Sequence, residues 1–433
     1  MRTAALAAAV LAALTWPSGR HGIAVPLVAV LVGACVGAAT SRWRDLVVYG
    51  APALALASMA AVRDAGWVVA LDLAAAVALA CAAAAGPALA ALLAPLRLRA
   101  APTLLPEPPA SVGAVARGST IAVCVSLPFV LLFASADAAF SEIVDVPLPA
   151  PESLTLRLLV LCLVLAGALG LGLAARRSRA AVADPARRRL ARWEWLIPLA
   201  LLDAVFALFV AVQLAVLFGG RDHVLQTSGL TYAEYARQGF WQLLAAASLT
   251  LVVVGVAARY AGPVTRADRR VLRALLAVLC ALTGVVLASA LHRLGLYEDA
   301  FGLTRARLAA QAALVWLGGV FALVLLAGAI SGVRRAAREA AVIGTALALL
   351  GFSLANPDGI VASRNVDRWD EERRIDLRYL QALSADAVPA ILELDHPARD
   401  DVLRPLRAEL AGGDPWSSAN LSRHRARSLL GTG

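Results

Sequence analysis

Lysine is absent from this 433-residue chain; all 40 of its basic residues are arginines. Charge of any kind is scarce, at 16% of residues, and aromatics make up 6%. A nucleic-acid partner calls for a basic face with interleaved aromatics on a soluble module. The arginines stand instead at the ends of apolar runs, so no nucleic acid is expected, and the Arg/Ala bias itself matches GC-rich codon usage. The shortage of charge also excludes an ordinary soluble protein. The chain is 60% hydrophobic with a mean hydropathy of +0.74, more apolar surface than cores can hide, so the lipid bilayer is the solvent for most of it. The five cysteines, Cys35, Cys81, Cys124, Cys162 and Cys280, lie in apolar runs without a CxxC or a nearby histidine. They read as small packing residues, and no metal, disulfide framework or cofactor is expected.

Apolar runs lie near 3–16, 23–40, 46–62, 66–94, 115–134, 154–175, 195–219, 240–258, 271–290, 307–331 and 340–355. Backbone crossing hydrocarbon must satisfy its own hydrogen bonds, and Ala/Leu-rich runs do so as helices. The expected fold is all-α: a polytopic helical membrane protein of about eleven spans with a small helical C-terminal tail domain. The first run resembles a signal peptide but lacks an A-x-A site before Trp16-Pro17, so an uncleaved, short first helix is expected. Gly86-Pro87 is expected to kink or end the long fourth run. Four regions follow: membrane helices over 1–99, a Pro-rich linker over 100–114, a membrane domain over 115–355 and a helical domain over 356–433.

Arginines in alternate connections number 21 against 8, with 11 more in the tail. The positive-inside rule places the rich set, including the basic loop 176–192, in the cytoplasm. The N-terminus is then inside. Arg20, Arg63, Arg157, Arg221, Arg237, Arg293, Arg305, Arg307 and the tail are outside.

The segment "SGLTYAEYARQGFWQLL" (228–244) departs from this apolar background. Thr231 and Glu234 form a capping box at the outer end of a span. Tyr232, Tyr235 and Trp241 suit an aromatic belt, and Arg237 can reach both Glu234 and Trp241. The bland reading is a capped, belt-anchored helix end; the sharper one is a ligand or partner surface. On the same side stand His292, Tyr297, Glu298 and Asp299, with Thr304 capping the next span, and the tail brings Arg364 and Arg368. An interfacial histidine is more often an anchor than a ligand. Asn356-Pro357-Asp358 and Ser384 read as helix starts in the tail. Two acids, Asp72 and Asp203, lie within apolar runs, where a carboxylate is functional by default or else hydrogen-bonded, Arg63 being a candidate partner for Asp72. Gln213 and Gln311 read as helix-knitting residues.

The stretches "FVAVQLAVLFGG", "GLTYAEYARQGFWQLL", "YEDAFGLTRARL", "NPDGIVASRNVDR", "YLQALSADAVPA" and "NLSRHRAR", from about residue 120 onward, resemble the bacterial membrane family termed domain of unknown function 4173, close to family 4153. The resemblance implies a polytopic inner-membrane protein and brings no activity or catalytic residue. Three readings of function follow. The first is a non-enzymatic envelope sensor or scaffold that recognises a ligand or another envelope protein at its outer face. The second is a small-solute transporter, for which Asp72 and Asp203 speak. The third is a membrane enzyme on lipid-linked substrates, for which Asp137, Glu142 and Asp145 could supply carboxylates; no HExxH or G-x-S-x-G occurs.

Overall fold

A computed structural model of the chain describes residues 20–39, 46–85, 110–144, 190–218, 239–261, 265–329, 334–372 and 375–431. In chain order its helices are α1 (Ala24–Ala39), α2 (Ala51–Val62), α3 (Gly66–Ala85), α4 (Ala110–Ala136), α5 (Ala138–Val144), α6 (Arg192–Phe218), α7 (Phe240–Tyr260), α8 (Arg266–Phe301) and α9 (Arg305–Ala329). They continue with α10 (Arg334–Leu354), α11 (Pro357–Glu372), α12 (Leu377–Gln381), α13 (Val388–Ile391), α14 (His396–Leu410) and α15 (Leu421–Leu430). Among the described residues the only β pairing is an isolated bridge between Leu190 and Ala261. The protein is all-α.

Helices α4, α6, α7, α8 and α9 are each long and apolar enough to cross a bilayer, and α10 with α11, bent by 50° at their junction, makes a sixth if counted as one broken span. α1, α2 and α3 contribute shorter apolar stretches. The expected total of about eleven therefore stands at five or six among the described residues. The runs 3–16 and 154–175, the Gly86-Pro87 break, most of the Pro-rich linker and most of the basic loop lie outside them. The chain divides into two compact units: Met1–Leu89 with Phe301–Ala312 and Arg338–Gly433, and Ala90–Ala300 with Ala313–Ala337.

In the second unit α4 and α6 pack along their length. Phe133 stacks on Phe209 with ring centroids 4.1 Å apart, and Phe129 meets Phe206 at 5.4 Å. Lipid is as apolar as these rings, so burial from water does not drive the pairing; close packing and hydrogen bonds between helices do. Aromatic contacts of this kind contribute about 0.5–1.5 kcal/mol each. A polar knot ties one end. Asp137, just after α4, is ion-paired with the buried Arg293 of α8, and Gln213 of α6 donates to the same carboxylate at 2.8 Å while accepting from Arg293 at 3.0 Å and Ser289 at 3.1 Å. Gln213 thus knits helices as its sequence context suggests. At the other end Arg117 pairs with Glu194 at 2.6 Å, and Glu194 also accepts from the Ala191 N–H at the start of α6. Thr265 and Asp268 exchange side-chain-to-backbone hydrogen bonds, a capping box that opens α8.

In the first unit α2 and α3 form a hairpin joined by Arg63, Asp64 and Ala65, with Ala53, Leu56, Ala57, Ala76 and Leu79 in its core. Alanines let the two backbones approach. The tail folds as α11 to α15 around Val361, Val366, Leu380, Val388, Ile391, Leu403 and Leu410, with Leu303 in the same cluster. Asn356 adopts a left-handed φ of 61°, and its side chain accepts from the Gly359 N–H at 3.1 Å, starting α11 as read from sequence. Thr304 similarly accepts from the Arg307 N–H at 3.4 Å. Ser384 makes no cap bond; its hydroxyl donates to Asp386 instead. The tail's other described side-chain caps are Asp376 and Asn420, on the N–H groups of Tyr379 and Arg423.

Candidate functional site

Helix ends carry unsatisfied backbone groups and attract charged side chains. In the first unit several such ends meet in one ionic cluster. Asp386 is buried, and one of its carboxylate oxygens accepts from the N–H groups of Asp64 and Ala65 at 2.7 and 2.8 Å, capping α3. Asp64 returns the favour to the tail by accepting from the Ala385 N–H at 3.1 Å. Arg63, one residue earlier, donates to the last carbonyls of α10, Ser353 at 2.8 Å and Leu354 at 2.5 Å, and reaches Asp386 at 3.4 Å.

Arg423 is the largest fully buried side chain among the described residues. Its guanidinium donates to Asp64 at 2.5 Å, Asp414 at 3.0 Å and the His21 carbonyl at 2.9 Å, and also to the Ser418 carbonyl. Arg20 adds ion pairs to Glu409 at 3.2 Å and Asp414 at 3.4 Å, and Arg427 reaches Asp414 at 2.7 Å. Burial pushes the Asp414 carboxyl upward, but hydrogen bonds from Arg423 and Arg427 and their charges outweigh it and hold the group below the usual carboxylate range. Asp358, fully buried at the start of α11, is forked by Arg305, with Nε at 2.8 Å, and accepts from the Trp67 indole at 3.0 Å and the Ser384 N–H at 2.9 Å. Between these groups lies an open cleft of about 290 Å³, lined by Arg20, His21, Asp64, Arg305, Ser384 and Glu409 among others.

The residues singled out from sequence fall elsewhere or beside this cluster. Tyr232, Glu234, Tyr235 and Arg237 lie outside the described residues. His292, Tyr297, Glu298 and Asp299 ride the last turns of α8 in the second unit, His292 exposed and Tyr297 within 6.5 Å of the Phe240 ring. Arg364 and Arg368 sit on α11 in the first unit, Arg364 exposed and Arg368 close to Gly302. Gly302 has a φ of 76° and no room for a Cβ against Asn365, whose amide donates to the Leu303 carbonyl at 2.8 Å. Asp72 is fully buried and accepts from the Ser353 hydroxyl at 2.8 Å on both oxygens; Arg63, its candidate partner, points to Asp386 and α10. Asp203 is 8% exposed, and neither carboxylate oxygen has a hydrogen-bond partner. Asp137 is enclosed by Arg293 and Gln213 and is not offered to a substrate. Among the described residues no group of three His, Cys, Asp or Glu side chains is placed to hold a metal ion.

Sequence reasoning missed Asp64, Asp386, Asp414 and Arg423. A signal for part of the cluster was present: Arg20, Arg63 and Arg305 belong to the arginine-poor set of connections, where orientation does not call for arginine and a specific partner does.

A family model described as "Domain of unknown function (DUF4153)" matches residues 50–394. The match begins well before residue 120, where the motif resemblance starts, and stops short of "NLSRHRAR". No curated protein and no solved structure matches the chain.

Proposed function

From the premise that this chain belongs to the DUF4153 family and is an integral membrane protein, we propose that it is a non-enzymatic envelope receptor or scaffold whose cleft takes a small ligand group bearing negative charge. The cleft in the ionic cluster carries this reading. Its wall presents three arginines and a histidine against two acids. Arg305 uses Nε and Nη2 on Asp358, which leaves Nη1 for a carboxylate or phosphate oxygen. The cluster's arginines and acids hold one another in fixed positions, which suits recognition better than turnover.

We place the cleft on the outer face of the inner membrane. Three connections that the arginine bias assigns to one side, around Arg20, Arg63 and Arg305, are hydrogen-bonded to the tail assigned to the same side. A phosphatase reporter fused after residue 433 is then active and a cytoplasm-only fluorescent reporter dark; the reverse pair of results overturns the orientation.

Ligand recognition is tested by thermal unfolding of the full chain in lipid nanodiscs with inorganic phosphate or citrate, against chloride at equal ionic strength. A saturable stabilisation is expected, reaching about 2.7 kcal/mol at a hundredfold excess over Kd, and weakened in His21→Ala. Stabilisation no greater than that by chloride overturns the reading. The transporter reading draws on Asp203 alone.

A further inference from the structure

Independently of the cleft, the second unit places a buried carboxyl in a layer of hydroxyls. Ring pairing advances in step along α4 and α6, from Phe129–Phe206 to Phe133–Phe209 and on to Asp137–Gln213. Ser126, one turn before Phe129, is therefore level with Asp203, one turn before Phe206. Both side chains are more than nine-tenths buried, and the Ser126 hydroxyl, like both Asp203 oxygens, has no hydrogen-bond partner. α7 runs the opposite way. Its first end abuts Ala136 through Gly239, and its last is bridged to Leu190 beside the start of α6. Thr250, midway along α7 and fully buried, falls in the same layer. From α8, Cys280 lies within electrostatic reach of Asp203, and Thr283 is one turn on; both are buried.

The hydrogen-bond inventory of this layer is one-sided. Thr250 and Thr283 already donate their hydroxyl protons to the carbonyls of Ala246 and Leu279, at 2.8 and 2.7 Å. Their oxygens can now only accept. The Ser126 hydroxyl still has a proton to give but is not bonded to Asp203, and the two threonine oxygens offer acceptors to the O–H of a protonated carboxyl rather than donors to an ionised one. Among the described residues no arginine is bonded to Asp203. Arg117 is paired with Glu194 toward one end of the bundle, and Arg293 with Asp137 toward the other. Among the described residues Cys280 is a titratable side chain within electrostatic reach of it. Asp203 lies about three turns into α6 from Arg192, inside a membrane span, where an uncompensated charge is strongly disfavoured.

We propose that Asp203, with Ser126 at the same level, is an intramembrane proton-binding site: the carboxyl holds its proton while α4, α6, α7 and α8 are packed and gives it up when the layer opens to water. A proton is the ligand that closely packed helices can accept without a cavity, whereas a sodium ion needs a cage of oxygens around it. The ligand exchanged is thus H⁺, and its binding is coupled to the packing of α4, α6, α7 and α8.

The test is infrared spectroscopy of the full chain in lipid vesicles, with wild type compared with Asp203→Asn and with Asp72→Asn as control. At pH 7 in choline chloride the wild type is expected to show the carbonyl band of one un-ionised carboxylic acid that Asp203→Asn lacks and Asp72→Asn keeps. The band should vanish reversibly on alkalinisation. If Asp203→Asn does not accumulate, Asp203→Glu serves instead, shifting the band rather than removing it. Superimposable spectra at pH 7 overturn the proposal. So does a band that persists at every pH at which the protein stays folded, because such an acid is sealed and exchanges nothing. Loss of the band when sodium replaces choline at constant pH overturns it in favour of a cation site.

Discussion

Asp386 and Asp203 are both buried aspartates in a chain made mostly of apolar helices, yet their surroundings are opposites. Asp386 collects two backbone N–H groups, two serine hydroxyls and an arginine. Asp203 collects none. The difference is one of position along a helix. At the junction of α2 with α3 the helix start leaves N–H groups unused, and the Asp386 carboxylate completes them; at the end of α10 the free groups are carbonyls, and Arg63 completes those. In the middle of α6 every backbone donor is already bonded within the helix. Asp72 sits between these extremes: it lies within α3 but is level with the end of α10, where Ser353 supplies a hydroxyl. Burial alone therefore does not decide whether an acid in such a protein is structural; the supply of donors does.

Substitutions sharpen the contrast. Arg423→Ala leaves Asp64 and Asp414 without their shared cation, and a loss of about 3–5 kcal/mol is expected, read as a lower unfolding temperature in nanodiscs and early protease cleavage of the tail. Little change would mean that the ionic cluster is not what holds the tail. Ser353→Ala removes the hydroxyl that donates to Asp72 and should cost about 1–3 kcal/mol. Conversion of Asp72 to Asn in the same background should recover part of that loss, and no recovery would argue against the pairing.

Acid should act selectively on the first unit. The native state keeps Asp414 ionised to lower pH than the unfolded chain does. Its stabilisation is therefore complete above about pH 4 and fades as pH falls through the native value. Unfolding followed between pH 6 and pH 3 should show this loss, and Asp414→Asn should flatten the profile while lowering stability at pH 6. The smallest effect is expected for Asp203→Asn. With no ion pair to break and nearly equal volume, its stability should lie within about 1 kcal/mol of wild type. A large loss would mean that Asp203 is held ionised by a partner.

The helical class, the apolar segments and the cap at Asn356 were legible in the sequence because each is a local signal: composition, run length, or a side chain reaching its own third neighbour. The ionic cluster was not, because its partners lie hundreds of residues apart and nothing in "VRDAG" announces "SADA" or "NLSRHRAR". Proximity along the chain pairs Arg63 with Asp72, whereas in the fold Arg63 bonds the two carbonyls at the end of α10 and reaches the Asp386 carboxylate from the tail. Arg364 and Arg368 drew attention as tail charges, yet the arginines that enter the cluster are those at helix ends.

The segment before α1 is stitched directly to the tail: the Ile23 N–H donates to the Ala419 carbonyl at 3.0 Å, the Ser418 hydroxyl to the Arg20 carbonyl, and Gly22 has no Cβ because the Ser418 backbone occupies that space. Arg20 and Asp414 are separated by 394 positions. At a synthesis rate of roughly 5–20 residues per second, Arg20 leaves the ribosome about 20–80 s before its partners exist. Through that interval α2 and α3 can already pack on each other, but Arg20, Arg63 and Asp64 wait for the tail carboxylates, arginine and backbone groups that complete their hydrogen bonds.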